Sequence, residues 1–186
     1  GKRRKQVMSK SYQRTIGEEI KHILIFLAII WGVFALSVIF NWHGLGVKPR
    51  SLTGLVGIVT MPFFHANFGH LLSNTIPLFI LLCLLAGSQA NFWEIVGFIV
   101  ILCGMILWVI GRNANHVGAS GLAFGLISFL ILSGFLERRP VPLLVAIVTF
   151  FLYGGTLLWG SLPSLRNNVS WEGHLSGAIA GGVVAF

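Results

Sequence analysis

Residues 118–136 read GASGLAFGLISFLILSGFL, nineteen residues without one charged side chain. A helix needs about 20 predominantly apolar residues to cross a bilayer whose hydrocarbon core is roughly 30 Å thick. Of the 186 residues, 55% are hydrophobic and only 10% are charged, whereas roughly 25% are charged in ordinary soluble domains. Because other apolar residues come in similar long runs, the sequence predicts an all-α membrane protein with several spans.

Hydropathy divides the chain into six predicted spans preceded by a basic segment. The spans cover about 21–40, 69–87, 92–111, 118–136, 141–160 and 172–186. We predict two regions, a basic cytoplasmic amino-terminal segment at 1–20 and a six-helix core at 21–186. The first run exceeds the roughly 7–15 residues of a signal-peptide core, so we interpret it as a retained helix. The last run is short for a span, and we expect the natural chain to continue past Phe186.

The long connection between the first two spans contains a shorter apolar stretch, Leu52 to Phe64. It is interrupted by Gly54, Gly57 and Pro62. A stretch of this length is too short to cross a bilayer. We therefore expect a membrane-associated first loop that lies at the interface or re-enters the membrane.

The net charge of +8 is concentrated ahead of the first apolar run, which begins at about Ile23, and seven of the thirteen basic residues lie there. Such a cluster indicates a cytoplasmic segment in contact with anionic lipid, and it lacks the interleaved aromatic residues typical of nucleic-acid binding. With the amino terminus inside, only Lys48, Arg50, Arg112 and Arg166 lie outside. The expected location is the inner (plasma) membrane, with the amino ends of spans two, four and six at its outer face.

Polar residues stand near the predicted outer ends of those three spans. Span two opens with His70 and Asn74, span four with Ser120, and span six with His174. Polar side chains within spans are costly and by default mark function. Since residues four apart share a helix face, His70 and Asn74 project together. The orientation places all four side chains at one depth in the outer leaflet.

A serine and a histidine at one depth indicate nucleophilic catalysis, because a hydroxyl is a weak nucleophile until a base removes its proton. A tetrahedral oxyanion also needs hydrogen-bond donors already in place. The candidates are the Ser120 amide, at a helix amino terminus, and the side chains of His70 and Asn74. Alternatively, His70 is a structural histidine at the interface and Asn74 forms a hydrogen bond between helices.

Glycines at a spacing of four residues line two of these spans, and small residues at this spacing allow close helix contact. They are Gly121 and Gly125 on span four, and Gly173, Gly177 and Gly181 on span six. If the two faces meet, Ser120 and His174 come within hydrogen-bonding reach. Any single pair is equally typical of packing alone.

At these residues the sequence resembles the rhomboid family of intramembrane serine proteases, from Ile23 to Phe186. Gly118-Ala119-Ser120-Gly121 is similar to the family's G-x-S-G around the nucleophile. His174 and its flanking glycines are similar to the catalytic histidine and glycine face of the last helix. His70-Leu71-Leu72-Ser73-Asn74 is similar to the H-x-x-x-N pair near the oxyanion.

The resemblance implies a six-transmembrane-helix rhomboid-type bundle with a membrane-embedded first loop. It implies a Ser120–His174 dyad without a carboxylate, metal or cofactor, which cleaves transmembrane protein substrates near the ends of their helices. Phe124 falls where family members often carry an aromatic that stacks on the catalytic histidine. His65 falls at a common family histidine, for which we expect a structural role. Pro49-Arg50 stands where several members have a Trp-Arg pair in the first loop.

Other intramembrane proteases lack support in the sequence. A metalloprotease needs H-E-x-x-H and an aspartyl protease needs two Asp residues, and the chain contains neither. An α/β-hydrolase needs G-x-S-x-G, but Leu122 takes the last position. Glu172 lies two residues from His174, on another side of a helix, so we assign it to the loop edge. Cys83 and Cys103 are interpreted as small hydrophobic core residues.

Two other function classes remain as alternatives. A rhomboid-like pseudoprotease would bind membrane helices without cutting them, although such proteins typically lack the serine or the histidine. A small transporter would place polar residues along a path through the bilayer rather than at one depth. The aromatic residues of span five suit either a substrate gate or lipid-facing packing; they are Phe150, Phe151, Tyr153 and Trp159.

Overall fold

The computed structural model describes residues 2–42, 44–163 and 170–186, with side chains from Gly17 onward. Arg166 and most of the predicted loop from Ser161 to Trp171 lie outside the described residues. The described residues form seven α-helices: α1 (Lys2–Ile39), α2 (Gly57–Thr60), α3 (Phe68–Ser88), α4 (Phe92–Ile110), α5 (Ser120–Glu137), α6 (Pro140–Gly160) and α7 (Trp171–Val184). Within those ranges the extended pairing is one isolated bridge, Val47 to His116. The predicted all-α fold is confirmed.

Five of the described helices are long and apolar enough to cross a membrane, namely Gly17–Ile39 within α1 and the whole of α3, α4, α5 and α6. The sixth predicted span corresponds to α7, which has 14 residues. Large apolar side chains remain exposed on the outside of the bundle, such as Phe151 at 81% and Trp159 at 78%. Apolar surface on this scale suits a hydrocarbon environment, and the protein is a multi-pass membrane protein.

Local sequence signals fix where the spanning helices begin and end. The Asn67 side chain caps α3 by accepting a hydrogen bond from the His70 amide at 2.9 Å, and Ser170 caps α7 in the same way. Such caps satisfy amides that lack helical acceptors. Pro140 occupies the first turn of α6, where its missing N–H costs nothing. Arg138 ends α5 in the left-handed conformation, with φ of 54°.

The central helix of the bundle is α5, which packs against α3, α4, α6 and α7. Residues 121–130 are all buried. Of the most apolar 18-residue stretch of α5, 67% is buried, against 17–33% of the corresponding stretch in the other four candidate spans. An all-round apolar helix is expected at such a position. The amino end of α5 therefore carries Ser120 to the middle of one end of the bundle.

The two glycine faces predicted on spans four and six meet in the structure. A Cβ on Gly177 would collide with the Gly121 carbonyl oxygen, and a Cβ on Gly181 with that of Gly125. The backbones of α5 and α7 are therefore in direct contact, as small residues at this spacing permit. This contact fixes the relative depth of the first turns of the two helices.

The first loop folds compactly against the end of α4. Arg50 donates hydrogen bonds to the carbonyl oxygens of Val109 and Gly111, each at 2.9 Å, and Trp108 Nε1 donates to the Ser51 carbonyl at 2.9 Å. The interrupted apolar stretch forms α2 between two 3₁₀ turns, Thr53–Leu55 and Met61–Phe63. This agrees with the predicted membrane-associated loop, and Arg50 is the residue that anchors it.

Candidate active site

The amino ends of α3, α5 and α7 gather around one cavity of about 390 Å³. The structure brings together all four polar residues singled out in the sequence, since His70, Asn74, Ser120 and His174 all line it. Phe124 forms part of the wall. Three helices that run in the same direction thus deliver the predicted groups to one place.

Ser120 is the first residue of α5 and is half-buried in the cavity wall. Its amide has no helical acceptor because it lies in the first turn. The preceding turn depends on Gly118, whose φ of +120° disfavours other residues. A Cβ there would lie 2.6 Å from Cε1 of His70. The Gly118 amide donates to the Met61 carbonyl at 3.0 Å, which ties this turn to the first loop.

His174 lies in the first turn of α7 and is held from two sides. Its ring stacks on Phe124 with 4.1 Å between centroids and 9° between planes. On the edge of the ring, Nδ1 lies 3.0 Å from the carbonyl oxygen of Gly160, the last residue of α6. Phe124 therefore stacks on His174, as the family resemblance implied.

Ser120 and His174 line the same cavity, but their side chains share no hydrogen bond in the described part of the chain. In unliganded active sites, catalytic hydrogen bonds are often long and shorten when substrate binds. The arrangement suits proton transfer from the serine hydroxyl to the imidazole once the two groups approach.

The two oxyanion candidates differ in their surroundings. Asn74 is buried, and its Nδ2 donates to the His70 carbonyl at 3.0 Å; an amide group carries two N–H bonds, so one remains available. The His70 ring borders the cavity and meets the His65 ring edge-on, with 5.1 Å between centroids. Their part in binding an oxyanion stays a prediction.

His65 supports the serine turn from behind. Its Nε2 accepts a hydrogen bond from the Ala119 amide at 3.4 Å. Burial, together with the neighbouring charge of His70, lowers the pKa of His65 from 6.5 to about 4. His65 is therefore neutral at ordinary pH and able to accept this hydrogen bond. The geometry suits the structural role expected for it.

Sequence reasoning missed a polar network at the start of α7. His116 Nδ1 lies 2.7 Å from the Ser170 hydroxyl, and His116 Nε2 lies 3.0 Å from the Arg112 carbonyl. Arg112 Nε is 3.7 Å from Glu172 Oε1. The available signal was a pair of opposite charges, Arg112 in the stretch before span four and Glu172 at the start of span six. The network ties the start of α7 to the segment that leads into α5.

Glu172 stands at the edge between the preceding loop and α7, as assigned, and its side chain is buried. Glu172 is the second residue of α7 and only 4% exposed. The helix begins at Trp171, so its first turn carries the Glu172 side chain into the bundle toward Arg112. The expectation that Glu172 does not bond His174 agrees with the structure, in which Nδ1 of His174 faces Gly160.

The two cysteines lie on different helices. Cys83 and Cys103 are free thiols on α3 and α4, as the sequence interpretation expected. Across 2–42, 44–163 and 170–186, no three His, Cys, Asp or Glu side chains form a group that could hold a metal ion.

A profile of the Rhomboid domain matches residues 52–186, which include every residue of the cavity described above. The chain belongs to the rhomboid family. A rhomboid-like chloroplast protein of Arabidopsis thaliana, named rhomboid-like protein 11, is 33% identical over 144 residues, 69% of this chain and 50% of that protein.

Mycobacterial relatives are more similar still. An uncharacterized protein of Mycobacterium tuberculosis is 42% identical over 151 residues, and one of Mycobacterium leprae is 38% identical over 177 residues. These matches cover 76% and 88% of this chain. They span 62% and 69% of the relatives' own lengths.

Proposed function

We propose that this rhomboid family member is an intramembrane serine endopeptidase, with Ser120 as nucleophile and His174 as general base. The observation that carries the proposal is that Ser120, at the amino end of α5, lines one cavity with His174, whose ring is stacked on Phe124. A hydroxyl beside an oriented imidazole is the arrangement that nucleophilic catalysis requires. Membership of a family of intramembrane serine proteases supports the same reaction.

The reaction proceeds through an acyl-enzyme. Ser120 Oγ attacks the scissile carbonyl as His174 takes its proton, and the negative charge moves to the carbonyl oxygen. The Ser120 amide, with His70 and Asn74, stabilises this oxyanion. Collapse breaks the C–N bond, and His174 gives its proton to the leaving amine. Water then attacks the ester with His174 again as base, which releases the acid product and free serine.

The charge distribution supports the proposed orientation in the membrane. Seven of the thirteen basic residues precede the first apolar run, which favours a cytoplasmic amino terminus and a cavity that opens toward the outer face. The basic cluster ahead of the first apolar run supports the inner (plasma) membrane as the location, with its cytoplasmic face next to that cluster. The substrates are transmembrane proteins that are cut near the outer ends of their helices.

A cleavage assay tests the proposal without a known substrate. The purified protein is reconstituted with a library of fluorescent single-span polypeptides, and fragments are detected by gel and mass spectrometry. Ser120→Ala and His174→Ala abolish cleavage while their thermal unfolding stays close to that of the parent. Ser88→Ala is the matched control, because its hydroxyl bonds the Leu84 carbonyl at the other end of α3.

The same assay separates the proposal from its alternative. Cleavage by Ser120→Ala above background would remove Ser120 as nucleophile. Binding of library members without cleavage by the parent would support a helix-binding pseudoprotease. Asn74→Ala lowers cleavage only partly, by about 10²-fold, if it supplies one of several oxyanion donors.

A further inference from the structure

A catalytic histidine needs a group that fixes its ring and tautomer. In the serine protease triad this group is a buried carboxylate bonded to Nδ1. Here the nearest candidate acid, Glu172, pairs with Arg112. Nδ1 of His174 instead meets a backbone carbonyl, that of Gly160, at 3.0 Å. The following inference rests on the proposed function, because it concerns the general base of that reaction.

The Gly160 carbonyl is well placed to accept this bond. Gly160 is the last residue of α6, and the last four carbonyls of a helix have no amide partner within the helix. Aligned peptide dipoles also place about half a negative charge at a helix carboxyl end. The end of α6 therefore offers His174 an acceptor without an amide partner in its own helix and a negative potential, the two properties that a carboxylate supplies.

The bond determines which ring nitrogen carries the proton. A carbonyl oxygen only accepts hydrogen bonds, so Nδ1 of a neutral His174 must be the donor. Nε2 is then left with its lone pair. This is the tautomer that can remove a proton from Ser120, since the nitrogen that acts as base must be unprotonated.

The approach of the carbonyl depends on the absence of a side chain at Gly160. A Cβ there would press into the Phe124 ring, lying 2.7 Å from Cε1, and would come within 3.5 Å of His174 Nδ1. Gly155, on the same helix, has nothing within 4 Å of a Cβ. Gly160 is thus tied to the site by packing, whereas Gly155 is not.

We propose that the carboxyl end of α6 replaces the triad carboxylate: the Gly160 carbonyl holds His174 with its proton on Nδ1. Gly160 is a positioning residue, because it acts on the reaction through His174. Displacement of the end of α6 removes this bond and leaves the ring free to adopt the other tautomer.

The test is the tautomer of His174 in the whole protein. Protein labelled with ¹⁵N-histidine in detergent is studied by NMR, and the His174 signals are assigned from their loss in His174→Ala. In the parent and in Gly155→Ala, the neutral ring carries its proton on Nδ1. In Gly160→Ala the signals shift toward the form with the proton on Nε2. A purely structural role for Gly160 would leave the tautomer unchanged.

Labelling kinetics with a fluorescent fluorophosphonate provide the second readout. Gly160→Ala lowers the maximal labelling rate by about 10²-fold, the cost of misplacing a reacting group by roughly 1 Å. The half-saturating probe concentration stays close to that of the parent, as does the labelling of Gly155→Ala. Unchanged labelling and tautomer in folded Gly160→Ala would overturn the proposal.

If Gly160→Ala does not fold, the tautomer of His174 in the parent protein still tests the proposal. A parent whose neutral His174 carries its proton on Nε2 contradicts the proposal, whatever the variants do. The outcome is also separate from that of the proposed function. If the parent has the Nδ1 tautomer but never reacts with the probe, the protease proposal fails and the positioning bond stands. If the parent reacts with the probe but has the Nε2 tautomer, the protease proposal stands and the positioning bond fails.

Discussion

The ring of Phe124 lies flat against the ring of His174, with 4.1 Å between their centroids. Phe124 is four residues after Ser120 on α5, so the helix presents both side chains on one face. The helix that carries the proposed nucleophile therefore also supports the proposed base. This stacking, together with the contact between His174 Nδ1 and the Gly160 carbonyl, holds the His174 ring beside the cavity that Ser120 lines.

Replacing Phe124 tests this support. Stacked aromatic pairs contribute about 0.5–1.5 kcal/mol beyond their buried area, so Phe124→Leu should lower the rate of substrate cleavage about 3–10-fold, while Phe124→Tyr keeps it. The matched control is Phe129→Leu, a buried phenylalanine of the same helix that does not line the cavity. Equal rates for Phe124→Leu and Phe129→Leu in folded protein would contradict the role of the stack.

The glycine contact between α5 and α7 predicts a loss of stability. A Cβ at Gly177 meets the Gly121 carbonyl oxygen, and overpacking of this kind costs about 1–3 kcal/mol. Gly177→Ala should therefore lower the free energy of unfolding in detergent by that amount. Gly97→Ala on α4 is the control, because nothing lies within 4 Å of its Cβ. If Gly177→Ala and Gly97→Ala had the same free energy of unfolding, the close contact between α5 and α7 would not be needed for stability.

Ser170 both caps α7 and bonds His116. Its hydroxyl accepts from the Gly173 amide at 3.1 Å, and loss of such a cap typically costs about 1 kcal/mol. Ser170→Ala should reduce stability by at least this amount, and Ser170→Thr should retain most of it. Thermal unfolding in detergent measures both. Ser37→Ala serves as control, because its hydroxyl donates to the Phe34 carbonyl within its own helix. A similar loss of stability in Ser37→Ala would refute the argument.

His65 predicts a pH dependence of stability. Its pKa is lowered to about 4 in the folded protein, chiefly by burial, whereas an unfolded histidine titrates near 6.5. Between these values the unfolded chain binds the proton and the folded chain does not. Stability is therefore fully present above about pH 6.5 and falls as the pH drops toward about 4.

His65→Gln removes this titration. The difference in unfolding free energy between the parent and His65→Gln should be largest at about pH 7.5 and smaller at about pH 5. Chemical unfolding at both pH values gives the two differences. A difference that did not shrink at the lower pH would show that His65 is not held neutral in the fold.

Much of the site could be predicted because its signals are unusual for a membrane segment. Ser120, His174, His70 and Asn74 stand out in apolar spans, and counting spans places them at one end of the bundle. The glycine pairs likewise predicted the contact of α5 with α7. Composition and spacing are enough to predict a site residue where its type is rare in the surrounding sequence, as a polar residue is in a membrane span.

Other parts of the site carried no comparable signal. The hydrogen bond from His174 to Gly160 uses a backbone carbonyl, and every residue has one. Glu172 was assigned to the loop edge from its spacing to His174, and that spacing does not reveal that its side chain is buried next to Arg112. His116 lies in a polar stretch before α5, where only the fold reveals its contact with Ser170.

The most direct test of the central claim, that His174 activates Ser120, is covalent labelling by a fluorescent fluorophosphonate in detergent. This probe reacts with an activated serine and needs no knowledge of the substrate. The account predicts labelling of the parent and of Ser88→Ala, and its loss in both Ser120→Ala and His174→Ala. Absence of labelling in a folded parent, or labelling that survives in Ser120→Ala, would contradict it.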